Sequence, residues 1–258
     1  MAHEGAILSA VNAEIIAYMI TVIIPNYNSS KYLSDTLQSV LNQTYKDFEI
    51  IVSDDGSTDG SLDIAKRFPV TVLPYPTNTG FAAAMNRGLH ASNPQRPYIL
   101  FPSSDDLLTK TSLETCVNTI HGYDLVCGQA LTIGPNTTLQ EAYALALTPP
   151  QKVRSLRGPA ILMRRDVFQR YGLFDKRLRY KPDKELWVRL FGVDTGRTDR
   201  ATFKTLDTIL GYYRIRPDSH QQKFKLLTRE QKAEILSTFD AIVQERLHNI
   251  NDTNTEFL

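Results

Sequence analysis

Cysteine is scarce in this 258-residue chain, which contains only Cys116 and Cys127. Two cysteines build neither a disulfide framework nor a metal-ligand pattern, and they point to a reducing compartment. Charge of one sign is missing as well: 29 Lys and Arg stand against 28 Asp and Glu, for a formal net charge of +1. No strong field therefore draws the chain to nucleic acid or to an anionic membrane. Long apolar runs are lacking too. The stretch from Ile7 to Met19 is interrupted by Asn12 and Glu14 and has no basic leader. It falls short of the roughly 20 residues that cross a bilayer. We read it as a short amphipathic helix packed on the domain or on a partner, with peripheral membrane contact as the second reading. Internal repeats and low-complexity tracts are absent.

What remains is an ordinary globular composition, 42% apolar and 22% charged, in a chain long enough to bury a core without disulfides. Its first half alternates strands and helices. Thr21–Pro25 is a short apolar run of the kind that forms a parallel strand covered on both faces. The polar turn Asn26–Ser30 follows, with Ser29 or Ser30 as a helix cap. The next helix runs to about Asn42 and buries Leu33, Leu37, Val40 and Leu41. Phe48–Val52, Val70–Leu73 and Tyr98–Phe101 read as further strands. An alanine-rich helix spans Thr79–Ala91, and another starts near Thr111, where Thr111 and Glu114 have capping-box spacing. This alternation indicates βαβ units and a mainly parallel sheet, Rossmann-like, with helices on both faces. Ligands of such sheets bind beyond the carboxyl ends of the strands, and the polar clusters after Pro25, Val52 and Phe101 sit there. A dinucleotide oxidoreductase would need G-x-G-x-x-G after the first strand; Pro25-Asn-Tyr-Asn28 stands there instead.

The second half is less regular. Tyr123–Ile133 and Pro159–Met163 read as strands, Arg165–Tyr171 and Pro182–Phe191 as helices, Phe203–Ile215 as paired strands, and Thr228–His248 as a closing amphipathic helix. Pro149-Pro150 marks a loop.

Three blocks are distinctive: Thr21-Val-Ile-Ile-Pro-Asn-Tyr-Asn28, Gln38-Ser-Val-Leu-Asn-Gln-Thr-Tyr45 and Glu49-Ile-Ile-Val-Ser-Asp-Asp-Gly-Ser-Thr-Asp59. Asn78-Thr-Gly80 with Asn86-Arg-Gly88, Ser104-Asp-Asp106 and Asp183-Lys-Glu-Leu-Trp-Val-Arg189 follow in order. Together they resemble the family 2 glycosyltransferases of the GT-A fold over about Thr21 to Arg216. The resemblance implies an α/β GT-A domain and inverting transfer of a sugar from a nucleoside-diphosphate donor, with UDP favoured and Mn2+ or Mg2+ as cofactor. The acceptor it implies is a hydroxyl of a glycan, or of a lipid-linked or protein-linked group. The reducing compartment read from the cysteines makes the expected location cytoplasmic, with peripheral membrane contact as the second reading. Within that frame residues 1–19 are an N-terminal extension, 20–108 the nucleotide-binding half, 109–225 the acceptor half, and 226–258 a C-terminal helix and tail.

The chemistry distributes as follows. Pro25, Tyr27 and Asn28 lie past the first strand, where an aromatic ring can pack on a base. Asp54 can accept a hydrogen bond from a uracil or guanine N–H. Asp55, Gly80 and Ser104 complete the expected nucleotide set, although Asp54, Asp55 and Ser57 also suit plain turn chemistry. Asp105 is the expected metal ligand, because oxygen-bound Mg2+ or Mn2+ bridges phosphates and neutralises the leaving group. The family pattern Asp-x-Asp reads Ser103-Ser104-Asp105 here, so its first carboxylate is a serine. Met85 stands where the family commonly has a diphosphate-binding arginine; Arg87 points about 100° away around the helix. Aligning on Leu186-Trp187 puts Asp183 at the position of the catalytic base, preceded by Pro182 where glutamate is common. Asp106, Glu185, Arg214 and His220 are secondary candidates, the last two on a loop whose cations can close over a diphosphate. The three departures also admit a second reading, a weakly active or inactive nucleotide-sugar-binding module of a glycan-assembly complex.

Overall fold

The computed structural model describes residues 19–145, 159–192 and 200–249, without the side chains of 220, 221 and 249. The expected helix at Ile7–Met19 (but for Met19), the Pro149-Pro150 loop and the chain end after 249 lie outside them. The first half forms β1 Ile20–Asn26, α1 Ser30–Leu41, β2 Phe48–Asp54, α2 Ser61–Ala65, β3 Thr71–Pro74, α3 Phe81–Ala91 and β4 Tyr98–Leu100. The second half forms β5 Leu107–Leu108, α4 Ser112–Thr119, β6 Leu125–Ile133, α5 Leu139–Leu145, β7 Ile161–Arg164 and α6 Asp166–Tyr171. It ends with α7 Pro182–Phe191, β8 Phe203–Arg214, α8 His220–Leu226 and α9 Arg229–Asn249.

The eight described strands form one sheet in the order β3-β2-β1-β4-β7-β6-β8-β5. The expected parallel arrangement holds for β1 to β4. Beyond β4 the sheet is mixed: β7 runs antiparallel to both β4 and β6, β6 is parallel to β8, and β5 is antiparallel to β8. Side-chain alternation along the strands divides the core. Val22, Ile24, Val52 and Leu100 face Leu33, Leu37 and Val40 of α1 with Leu113 and Val117 of α4. Ile23, Ile99 and Met163 face Met85 of α3, Phe168 of α6 and Leu186 of α7. Burial on both faces explains why β1 reads as a continuous apolar run.

Two local expectations change. The paired strands expected over Phe203–Ile215 are one strand, Phe203–Arg214, because β8 pairs with β6 along one edge and with β5 along the other. The capping box does not form: Thr111 makes no side-chain cap bond, and Glu114 Oε2 instead accepts from Thr44 Oγ1. The cap of α1 differs likewise. The Ser29 hydroxyl turns to the Tyr27 carbonyl, and Asp59 accepts the Ser30 N–H.

Candidate functional site

The chain runs β1, β2, β3 in one direction across the sheet, then returns to place β4 on the other side of β1. That reversal is a topological switch point at the carboxyl ends of β1 and β4, the place where open α/β sheets take their ligands. Residues 27–30 leave β1 there and residues 101–106 leave β4.

The first wall is a hydrogen-bonded cluster. Asn26 Nδ2 donates to Asp54 Oδ1 (2.6 Å) and to the hydroxyls of Ser57 and Ser61. Ser57 donates to Asp54 through both its N–H and its hydroxyl. Asp54 is buried and held between Asn26 of β1 and Ser57 of its own turn. Asn28 takes the left-handed conformation at φ 48°, which asparagine tolerates better than most residues. This lets its side-chain oxygen accept the Thr58 N–H and bind the two loops together. The Tyr27 ring stays 41% exposed beside them, and Pro25 is half-buried at the end of β1.

Asp55 organises the second wall. Its carboxylate accepts the N–H groups of Thr79 and Gly80, the Thr79 hydroxyl, and Arg87 Nη2 at 2.6 Å. Burial pushes this carboxyl up, but the hydrogen bonds from Thr79, Arg87 and Gly80 outweigh it and hold it below the ordinary range. Arg87 also stacks on Tyr75, 4.2 Å from the ring centroid. Arg87 is thus committed to Asp55, and Met85 is fully buried in the core. Gly80 enters α3 at φ 98°, and a Cβ there would lie 3.1 Å from Arg179 Nη1. Arg179 in turn donates to the side chain and backbone of Asn78.

The third part comes from β8. The antiparallel β5–β8 register, Leu107↔Tyr212 and Leu108↔Gly211, continues outward to bring Arg214 and Arg216 against Asp105 and Asp106. The Arg214 N–H donates to Asp106 Oδ1, and its Nε donates to the Asp105 carbonyl. Arg214 is buried, its guanidinium over the Tyr32 ring and its Nη1 on the carbonyls of Gly134 and Thr137. It is a structural tie rather than a free cation. Arg216 Nε lies 3.0 Å from Asp105 Oδ2, and Arg216 Nη1 lies 3.4 Å from the Ser29 hydroxyl, which also receives the Ser104 hydroxyl. Burial raises the Asp105 carboxyl against the lowering effect of Arg216. Asp106, enclosed and beside Asp105, lies well above the ordinary range.

These residues do not fit a divalent cation as they stand. Ser103 removes one carboxylate, Asp106 faces the Arg214 amide, and Asp105 is already paired. No group of three His, Cys, Asp or Glu able to hold a metal occurs among the described residues. The His220 side chain lies outside those residues.

Asp183 and Glu185 part company on α7. Glu185 is fully buried and binds Arg189 through both oxygens, while Arg189 donates to the carbonyls of Tyr171, Gly172 and Leu173. That network anchors the helix. Asp183 is exposed in the first turn. Trp187, one turn on and on the same helix face, stacks on Phe101 at 6.4 Å. This contact joins the face of Asp183 to the strand end that carries Asp105. The sequence offers the cations of the Arg214–His220 loop together, and the structure sets Arg216 rather than Arg214 at the Asp105 carboxylate; no local signal in the sequence marks Arg179 or Tyr32.

Residues 21–172 match the family described as Glycosyl transferase family 2. The chain belongs to glycosyltransferase family 2. An uncharacterized glycosyltransferase of Rickettsia prowazekii is 31% identical over 194 residues, covering 69% of this chain and 60% of that protein. This chain therefore spans about three-fifths of the length of that relative. Bacillus subtilis EpsE, provisionally named a glycosyltransferase, is 28% identical over 224 residues, covering 81% of this chain and 77% of EpsE. Among solved structures, S. aureus TarS 1–349 in complex with UDP-GlcNAc superimposes with a TM-score of 0.63 at 21% identity, over 91% of this chain and 72% of that one. Mannosyltransferase PcManGT from Pyrobaculum calidifontis, in complex with GDP-Man and Mn2+, gives 0.57 at 17%, over 86% and 68%. At these identities the neighbours establish the GT-A fold. No described helix of the family 2 chain is long and apolar enough to cross a membrane.

Proposed function

We propose that this chain is an inverting glycosyltransferase that moves a sugar from a nucleoside-diphosphate donor, a UDP-sugar by preference, to a hydroxyl of a glycan, lipid-linked or protein-linked acceptor. The observation that carries the reading is the switch point between β1 and β4, flanked by the Asp54 and Asp55 clusters, with the Tyr27 ring exposed beside it. The base packs against Tyr27 and Pro25, with Asn28 and Asp54 shaping its slot. Asp55 holds the Thr79–Gly80 turn as the opposite wall, and Ser104 lies near the phosphates. On this reading residues 20–108 take the nucleotide and 109–225 the acceptor, in a cytoplasmic protein whose two cysteines are unpaired and buried. Peripheral contact with a membrane and oligomer formation belong to the same proposal.

Asp183 acts as the base. The acceptor oxygen attacks the anomeric carbon on the face opposite the diphosphate, and the Asp183 carboxylate takes its proton. The bond from that carbon to the diphosphate oxygen breaks, and the nucleoside diphosphate leaves with the electron pair, inverting the configuration. The Mn2+ or Mg2+ expected from the resemblance would be held by Asp105, where it would have to displace Arg216, and would neutralise charge on the departing diphosphate. Asp183→Asn is expected to lower kcat by about 100-fold or more and to leave UDP binding intact. An unchanged kcat removes the base assignment. Ser103, Met85 and Pro182 favour the second reading, a nucleotide-sugar-binding module without turnover, which calorimetry separates as donor binding without product.

A further inference from the structure

Asp105 stands past the carboxyl end of β4 with a counter-charge already beside it. Arg216 Nε is 3.0 Å from its Oδ2. The guanidinium also lies 5.5 Å from the centroid of the Tyr32 ring and 3.6 Å from Asp218. Both partners of the Asp105 pair are largely enclosed, their side chains 15% and 14% exposed. The pair is fixed from three sides: the β5–β8 register presents Arg216, Ser29 takes one of its amino groups, and Tyr32 floors the guanidinium. Arg216 Nε is enclosed and completes no hydrogen bond among the described residues, so it holds Asp105 by charge at ion-pair distance.

We propose that Arg216 takes the place of the divalent cation at the donor diphosphate, so that this chain binds its nucleotide without Mn2+ or Mg2+. The inference rests on the nucleotide-donor reading above. A metal in such a site draws oxygen ligands together and neutralises charge on the departing diphosphate. A guanidinium performs the second task with paired N–H groups matched to phosphate oxygens. It performs the first by holding the Asp105 carboxylate, which would otherwise repel the phosphates. The rest of the site agrees. The second carboxylate is absent at Ser103, Asp106 is turned to the Arg214 amide, and a dication approaching Asp105 meets the positive charge of Arg216 at contact distance.

The test is calorimetric titration of the full chain with UDP, once in EDTA and once in Mn2+, for the wild type, Arg216→Ala and Arg216→Lys. The wild type is expected to bind UDP within about twofold in the two buffers. Arg216→Ala is expected to lose about tenfold or more in EDTA and to regain affinity with Mn2+, because Asp105 is then free. Arg216→Lys keeps the charge and recovers part of the EDTA binding. That new metal dependence is a readout which loss of a merely structural contact does not produce, and the wild-type comparison stands even if Arg216→Ala fails to fold. Wild-type binding that rises tenfold or more with Mn2+, or an Arg216→Ala variant that binds as the wild type in EDTA, overturns the proposal. Absence of UDP and GDP binding in both buffers instead removes the nucleotide pocket itself, and this assignment with it.

Discussion

At the scale of single residues, adjacent carboxylates have separate work. Asp54 ties its own turn to Asn26 of β1, whereas Asp55 reaches across to Thr79, Gly80 and Arg87. The folded-state pKa of Asp55 is lowered, so its stabilising contribution is complete above the ordinary carboxylate value and is lost as pH falls through the depressed one. Asp55→Asn leaves buried donors without an acceptor and is expected to cost about 2 kcal/mol at neutral pH. Urea midpoints should show that difference shrinking as pH falls through the depressed pKa of the wild-type carboxylate, which is then protonated as well. Glu185 and Arg189 show the same economy. The motif around Leu186-Trp187 offers two acidic side chains, and burial divides them, one for anchoring α7 and one, Asp183, at the surface.

At the scale of elements, the site depends on how closely α3 approaches β1. Gly88 sits against Ile23, and a Cβ at that position would overlap the Ile23 Cγ2 methyl. Gly88→Ala must either push α3 outward or force Ile23 off its rotamer, at about 1–3 kcal/mol. Because α3 begins at the Gly80 turn that Asp55 holds, the same substitution should weaken UDP binding. Thermal melts and calorimetry on one sample check both effects. A normal melt with normal affinity would show that the contact relaxes without moving the helix.

At the scale of the whole molecule, α9 crosses back over the segment that leads into α7. Phe239, Ile242 and Val243 bury Leu178, Arg246 donates to the Leu173 carbonyl, and Glu245 receives Arg177. The buried stripe is narrow, so the helix is less amphipathic than a closing helix with a broad apolar face. It acts as a strap on the loop before Asp183. Phe239→Ala is expected to cost about 3 kcal/mol, a fall in Tm of roughly 6–12 °C. Differential scanning calorimetry measures it, and a shift below about 2 °C would mean that α9 is not part of the cooperative unit.

Taken by itself, the sequence determined the alternation of β1 to β4 with α1 to α3, since continuous apolar runs and helical spacing are local patterns. It also determined the polar strand ends, the helix bounds Pro182–Phe191, the core place of Met85 and the family. Only the tertiary structure decided what those polar residues do. The β5–β8 register puts Arg216 on Asp105 across more than a hundred residues of chain, and alternation within a strand sets which face is buried but not which distant strand it pairs with. The same holds for the capping of α1 by Asp59 and the diversion of Glu114 to Thr44. A side chain chooses among all partners within reach, and that set exists only once the strands are paired.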